Sequence, residues 1–103
     1  MRSAVSIQCL PLSVQNTEDA YKMVDEAIDV IAESGLPYTV GPFETTVEGE
    51  LDEVWDVARQ AHQAVMDAGE DDTNVLSFVK VASGPNLGST EEKISKYRNR
   101  EAN

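Results

Sequence analysis

The stretch Glu44-Thr45-Thr46-Val47-Glu48-Gly49-Glu50-Leu51-Asp52-Glu53-Val54-Trp55 changes its periodicity part-way along. From Thr45 to Glu48 the side chains alternate, which sends Val47 to one face of an extended segment and Thr46 with Glu48 to the other. After Gly49 the apolar positions Leu51, Val54, Ala58, Ala61, Val65 and Ala68 recur at helical spacing, and Gly69 closes the run. Asp52, Glu53 and Asp56 put negative charge at the positive end of that helix. A strand is therefore delivered straight into a helix. On its polar side a hydroxyl and a carboxylate stand together, and they need either water or a partner.

Upstream, Tyr38-Thr39-Val40-Gly41-Pro42 reads as a short strand that Phe43-Glu44 turns into the opening stretch, so these two strands are expected to form a hairpin. Before them Ala20, Val24, Ala27, Ile28 and Ile31 mark a first amphipathic helix, with Lys22, Asp25, Glu26, Asp29 and Glu33 opposite. Thr17 is its expected capping hydroxyl, Glu18 and Asp19 suit its first turn, and Ser34-Gly35 with Pro37 stops it. Val5 to Leu12 is the expected first strand, with Val5, Ile7 and Cys9 on its apolar face, Gln8 pointing away and Pro11 at its end; Ser13 to Asn16 is loop.

Downstream, Glu70-Asp71-Asp72-Thr73 is an acidic loop. Asn74 to Ala82 then alternates Val75, Ser77, Val79 and Val81 with Leu76, Phe78 and Lys80, apolar enough on both faces to imply cover on both sides. After the loop Ser83–Gly88, the Ser89-x-x-Glu92 spacing is that of a capping box, and a short basic helix is expected from Thr90 to about Arg98, with the last residues frayed.

The element order β-α-β-β-α-β plus a terminal helix is that of an α+β, ferredoxin-like sandwich: a four-stranded antiparallel sheet with both long helices on one face. We read residues 1–103 as a single domain, with 83–103 as loop and C-terminal helix. If Val5, Ile7, Val47, Val75 and Val79 face the helices, then Ser6, Gln8, Thr46, Glu48, Phe78 and Lys80 look out from the uncovered face. Leu10, Leu76 and Phe78 make part of that face apolar, which implies self-association through it.

Composition bounds the chemistry. A chain of 103 residues with 41% hydrophobic content can build one core. No apolar run approaches the ~20 residues of a membrane helix, and the start Met1-Arg2-Ser3-Ala4-Val5-Ser6-Ile7-Gln8 lacks a long apolar signal segment, so the expected location is cytoplasmic. Cys9 is the only cysteine, which excludes an internal disulfide and a thiolate zinc cluster and reads as a buried, inert thiol. Lys and Arg number 8 against 19 Asp and Glu, a net charge of -11, and five of the basic residues follow Val79, so nucleic acid is not an expected partner. The acidic surface serves solubility or attracts small cations.

His62, the only histidine, reads first as a partly buried packing residue on the flank shared with Trp55 and Met66, with a role as general base or ligand as the alternative. There is no Ser/His/Asp arrangement, phosphate-cradling loop, calcium loop or metal-ligand spacing. Glu48 and Lys80 share the outer face and either pair with each other or divide a ligand between them. Phe78 is either an interface residue or a stacking platform.

The run Glu44 to Val54, the later Ala61-His62, the strand ending in Lys80-Val81 and the Leu10-Pro11-Leu12 end of the first strand resemble the small YkoF-like, thiamine-binding protein family. The likeness spans nearly the whole chain and is most specific at Thr46-Val47-Glu48-Gly49. It implies a ferredoxin-like domain, assembly into dimers or tetramers, and a pocket for thiamine or its hydroxymethylpyrimidine moiety at a subunit interface. An aminopyrimidine would then meet Glu48 and the hydrogen-bonding groups of Thr46, Gln8 and Ser77, with its ring on Phe78 or Phe43. Lys80 would neutralise Glu48 rather than face the thiazolium cation. The expected ligand-binding set is Gln8, Phe43, Thr45, Thr46, Glu48, Ser77, Phe78 and Lys80, with no catalytic residue, metal or cofactor. The expected function is an oligomeric, non-enzymatic binding protein. The alternatives are a small enzyme using His62 or Glu48, or a structural or regulatory assembly module.

Overall fold

In the computed structural model of the chain, the described residues are all but Ser13 and Asn103, and the side chains of 96 and 98–102 are also outside the description. The expected loop start at Ser13 and Asn103, the last of the residues expected to fray, lie outside the described residues. The elements are β1 (Arg2–Leu12), α1 (Thr17–Glu33), β2 (Tyr38–Val40), β3 (Thr45–Glu50), α2 (Leu51–Ala68), β4 (Asn74–Ser83) and α3 (Thr90–Ala102). The four strands form one sheet in the order β2-β3-β1-β4 with every pairing antiparallel. This is the α+β, ferredoxin-like arrangement expected from the element order, and Val40 opposite Thr45 closes the expected hairpin. No helix among the described residues is long and apolar enough to cross a membrane.

β1 is the central strand, and its odd-numbered side chains make the core. Val5 lies between Val47 and Val81, and Ile7 between Thr45 and Val79. The strand starts three residues before the expected Val5 because a polar pair extends the ladder there: Ser3 is fully buried, and its hydroxyl shares a hydrogen bond of 2.7 Å with that of Ser83. It also runs through Pro11 instead of stopping. Pairing with β3 ends at Ile7, so the rest of β1 has one free edge, where the proline's missing N–H is tolerated.

α1 buries Met23, Ala27 and Ile31, and α2 buries Val54, Val57, Ala58, Ala61 and Val65 against this sheet face. Val57 completes the second stripe, whereas Ala68, expected within it, is exposed. The cap of α1 is Asn16 rather than Thr17: its Oδ1 accepts the Asp19 N–H at 2.8 Å, which satisfies one of the helix's free first-turn donors. At the other end Gly35 has φ 79°, a left-handed value that favours glycine. Gly49, the residue at which the opening stretch changes its period, passes close under Leu36, whose methyl carbons would lie 3.3 Å from an added Cβ.

β4 is an edge strand that α2 covers only in part. Val79 and Val81 remain 36% and 37% exposed on the helix side, and Leu76 and Phe78 are 45% and 53% exposed on the other. The cover expected for both faces of β4 is therefore not supplied by the described residues of one chain. α3 extends to Ala102, beyond the expected Arg98, and starts with the expected capping box: Ser89 Oγ accepts the Glu92 N–H at 3.0 Å and Glu92 Oε2 accepts the Ser89 N–H at 3.2 Å.

Candidate functional site

Because opposed residues of an antiparallel pair share a face, the register lays out the open side of the sheet in rows. Glu48, Ala4 and Ala82 form one row; Thr46, Ser6 and Lys80 form the next; Gln8 with Phe78 and Leu10 with Leu76 follow. Five residues of the expected set, Gln8, Thr46, Glu48, Phe78 and Lys80, are thus brought onto one surface.

Two carboxylates flank the middle row, and they have different partners. Glu44, at the hairpin turn, accepts the Lys80 ammonium at 3.2 Å and the Ser6 hydroxyl at 3.3 Å through its Oε2. Lys80 therefore pairs with Glu44 and not with Glu48. Lys80 is level with Thr46, equally far in register from Glu44 and Glu48, and the Glu48 carboxylate is already engaged. Glu48 Oε1 accepts the backbone N–H of Thr90, the first residue of α3.

The other three residues stand elsewhere. Thr45 is buried on the helix side of the sheet. Phe43 is 80% exposed at the tip of the β2–β3 hairpin. With Gln8, Cys9 and Val40 it lines a hollow of about 110 Å³, smaller than the ~300 Å³ at which ligand pockets begin. Ser77 faces α2, where its hydroxyl and His62 Nδ1 share a hydrogen bond of 2.5 Å. Ser77 also lies opposite Cys9 in the ladder and hydrogen-bonds its thiol. Burial pushes the Cys9 thiol up from its ordinary value, and the Ser77 hydrogen bond works against that shift. This His62-Ser77-Cys9 line joins α2, β4 and β1, so no single stretch of sequence announces it.

A larger cavity of about 630 Å³ opens between the start of α1 and the end of α2, lined by Asp19, Lys22, Met23, Glu26, Gly69 and Asp72 among others. None of the eight expected residues borders it. Its only trace in the sequence is the acidic loop Glu70-Asp71-Asp72. Among the described residues no three His, Cys, Asp or Glu side chains converge as a metal site.

The sequence model for thiamine-binding proteins matches residues 5–98. The chain belongs to the thiamine-binding protein family. A UPF0045 protein of Clostridium perfringens is 34% identical over 94 residues, which is 91% of this chain and 95% of that protein. Among solved structures, a domain of unknown function, DUF77, from Bacillus cereus superposes with a TM-score of 0.81 at 39% identity, covering 97% of this chain and 93% of that one. A candidate thiamine biosynthesis/salvage protein from Thermotoga maritima superposes with a TM-score of 0.80 at 30% identity, covering 95% of this chain and all of the other. The family carries a small-molecule binding role. In this member of the thiamine-binding protein family, two regions offer polar groups to a small molecule: the open sheet face and the acidic cavity at the helix ends.

Proposed function

We propose that this member of the family is a non-enzymatic protein that binds thiamine or its hydroxymethylpyrimidine moiety on the open sheet face, between copies of the chain. The observation that carries this reading is the surface formed by Gln8, Thr46, Glu48 and Phe78, which pairs a carboxylate and neutral hydrogen-bonding groups with an exposed aromatic ring. An aminopyrimidine has an exocyclic amine to donate to Glu48 and ring nitrogens to accept from Thr46 in the adjacent row, while Gln8 and Phe78, two rows from Glu48, would meet the more distant part of the ligand. Lys80, held by Glu44, leaves Glu48 free of a competing cation among the described residues. The net charge of -11 favours approach of the thiazolium form.

Charge also supports assembly through this side of the molecule. Two copies of so acidic a chain repel, except where carboxylates are missing, and neither β1 nor β4 contains one. β4 adds a free edge with Leu76, Phe78, Val79 and Val81 exposed along it, a pattern that calls for a partner. We therefore assign the self-association, as dimer or tetramer, to this surface. His62 borders neither hollow and is tied to Ser77, which favours binding over proton transfer.

Isothermal titration with thiamine and with hydroxymethylpyrimidine tests the function. Saturable heat is expected for at least one of them, weakened by Glu48→Gln; no heat at millimolar ligand would refute it. Size-exclusion chromatography with light scattering tests the assembly, and a strict monomer would contradict it.

A further inference from the structure

We propose that Glu48 is a latch: it holds the first turn of α3 against the open sheet face, and a cationic or amine-bearing ligand gains the carboxylate by displacing that turn. The inference rests on the reading of this face as the ligand face. Its starting observation is that the carboxylate best placed for a ligand accepts the Thr90 backbone N–H of its own chain.

The topology shows how the contact arises. β4 is at the edge of the sheet and β3 lies beyond β1, so the segment after Ser83 must cross about 10 Å over β1 to bring Thr90 to Glu48. Thr90 arrives at the row of Glu48 and Ala4, where the small, partly covered Ala4 side chain leaves room above the sheet, while Ala82 in the same row stays exposed. Six residues, 84–89, cover such a distance without full extension.

α3 does not need Glu48 as a cap. Ser89 and Glu92 already satisfy each other's backbone donors, which closes the helix start within its own sequence. The bond to Glu48 adds attachment to the sheet instead. The bond is made at the first residue of α3, so it ties the start of the helix directly to β3.

The attachment is also replaceable. A helix start presents roughly half an elementary charge, whereas a bound ammonium or thiazolium presents a whole one. No salt bridge occupies Glu48 among the described residues, because Lys80 is engaged by Glu44. A ligand cation or a protonated aminopyrimidine can therefore outcompete the amide, and release of α3 uncovers the surface beside Glu48, where Ala4 is partly covered.

The decisive variant is Thr90→Pro. Proline has no N–H to donate, yet it suits the first position of a helix, so the latch is removed while α3 can still form. Thr90→Ala keeps the amide and serves as the control. Thiamine and hydroxymethylpyrimidine are titrated calorimetrically into wild type, both Thr90 variants and Glu48→Gln, and trypsin cleavage at Lys93 is timed with and without ligand. The latch predicts about tenfold tighter binding by Thr90→Pro, wild-type affinity for Thr90→Ala, faster cleavage in Thr90→Pro than in wild type or Thr90→Ala, and faster cleavage of wild type once ligand is added. Equal or weaker binding by Thr90→Pro, or the same gain in Thr90→Ala, would overturn the latch while leaving the binding function standing. No heat with either ligand in any of the four proteins would overturn the binding function and the displacement together.

Discussion

β1 presents one strand to two environments. On its odd side Ser3, Val5, Ile7 and Cys9 are all buried beneath the sheet's two long helices; on its even side Ala4, Ser6, Gln8 and Leu10 are only partly covered. β3 repeats the contrast, with Val47 fully buried and Thr46 and Glu48 half open between two sets of polar partners. The helix face is closed by apolar packing that specifies the fold. The open face carries the polar groups that we propose recognise other molecules, together with apolar surface that the described residues leave uncovered.

Neighbouring substitutions on β1 sharpen this contrast most. Ile7→Ala should cost about 2–5 kcal/mol of stability, because it removes buried methylenes and leaves a cavity in the core. Ser6→Ala, one residue away on the open face, should stay within about 0.5 kcal/mol. Chemical denaturation measures both, and equal costs would break the distinction between the faces. On β4, Phe78→Asp should convert the proposed assembly to monomers in light scattering while leaving the helical circular dichroism unchanged; retained assembly would move the interface off this surface.

Cys9 tests how tightly the helix face is closed. Its thiol stays neutral above the ordinary thiol range, so iodoacetamide should label native protein far more slowly than unfolded protein at neutral pH. The sign of the linkage follows: with the folded pKa raised, the stabilisation is complete below the unfolded thiol pKa and is lost as pH rises through and above it. Cys9→Ala should accordingly flatten the alkaline limb of the stability profile.

The smallest effect belongs to an exposed group. Hydrogen bonds from Arg59 at 2.8 Å and from Gln60 at 2.6 Å hold the Asp56 carboxyl below its usual value. That contribution is present above the ordinary carboxylate pKa and disappears as pH falls through the lowered one. The slight difference between wild type and Asp56→Asn in thermal unfolding should therefore vanish in acid.

Alternation made the two faces legible from sequence. It assigned Val5, Ile7 and Val47 inward, and Gln8, Thr46, Glu48 and Phe78 outward. The same alternation sets Thr45 with Val47 and Ser77 with Val79, which is where the structure has them. What periodicity could not carry was contact between distant irregular segments. The partner of Glu48 is 42 residues away and is delivered by a loop with no repeating pattern. Lys80 found Glu44 because a turn residue can lean over the sheet, and turn geometry is not written in the strand pattern. The acidic cavity joins the start of α1 to the end of α2, two places linked only by the folded packing. The hairpin, the direct β3-to-α2 junction and the α3 capping box were readable because each depends on residues close in sequence.

The most direct test of the central claim, that the open sheet face is the binding face, is amide chemical-shift mapping of nitrogen-15-labelled protein titrated with thiamine and hydroxymethylpyrimidine. The expected shifts are at Gln8, Thr46, Glu48, Phe78 and Thr90, with Asp19, Gly69 and Thr73 at the acidic cavity unmoved. Shifts confined to Asp19, Gly69 and Thr73, with the sheet face silent, would contradict it.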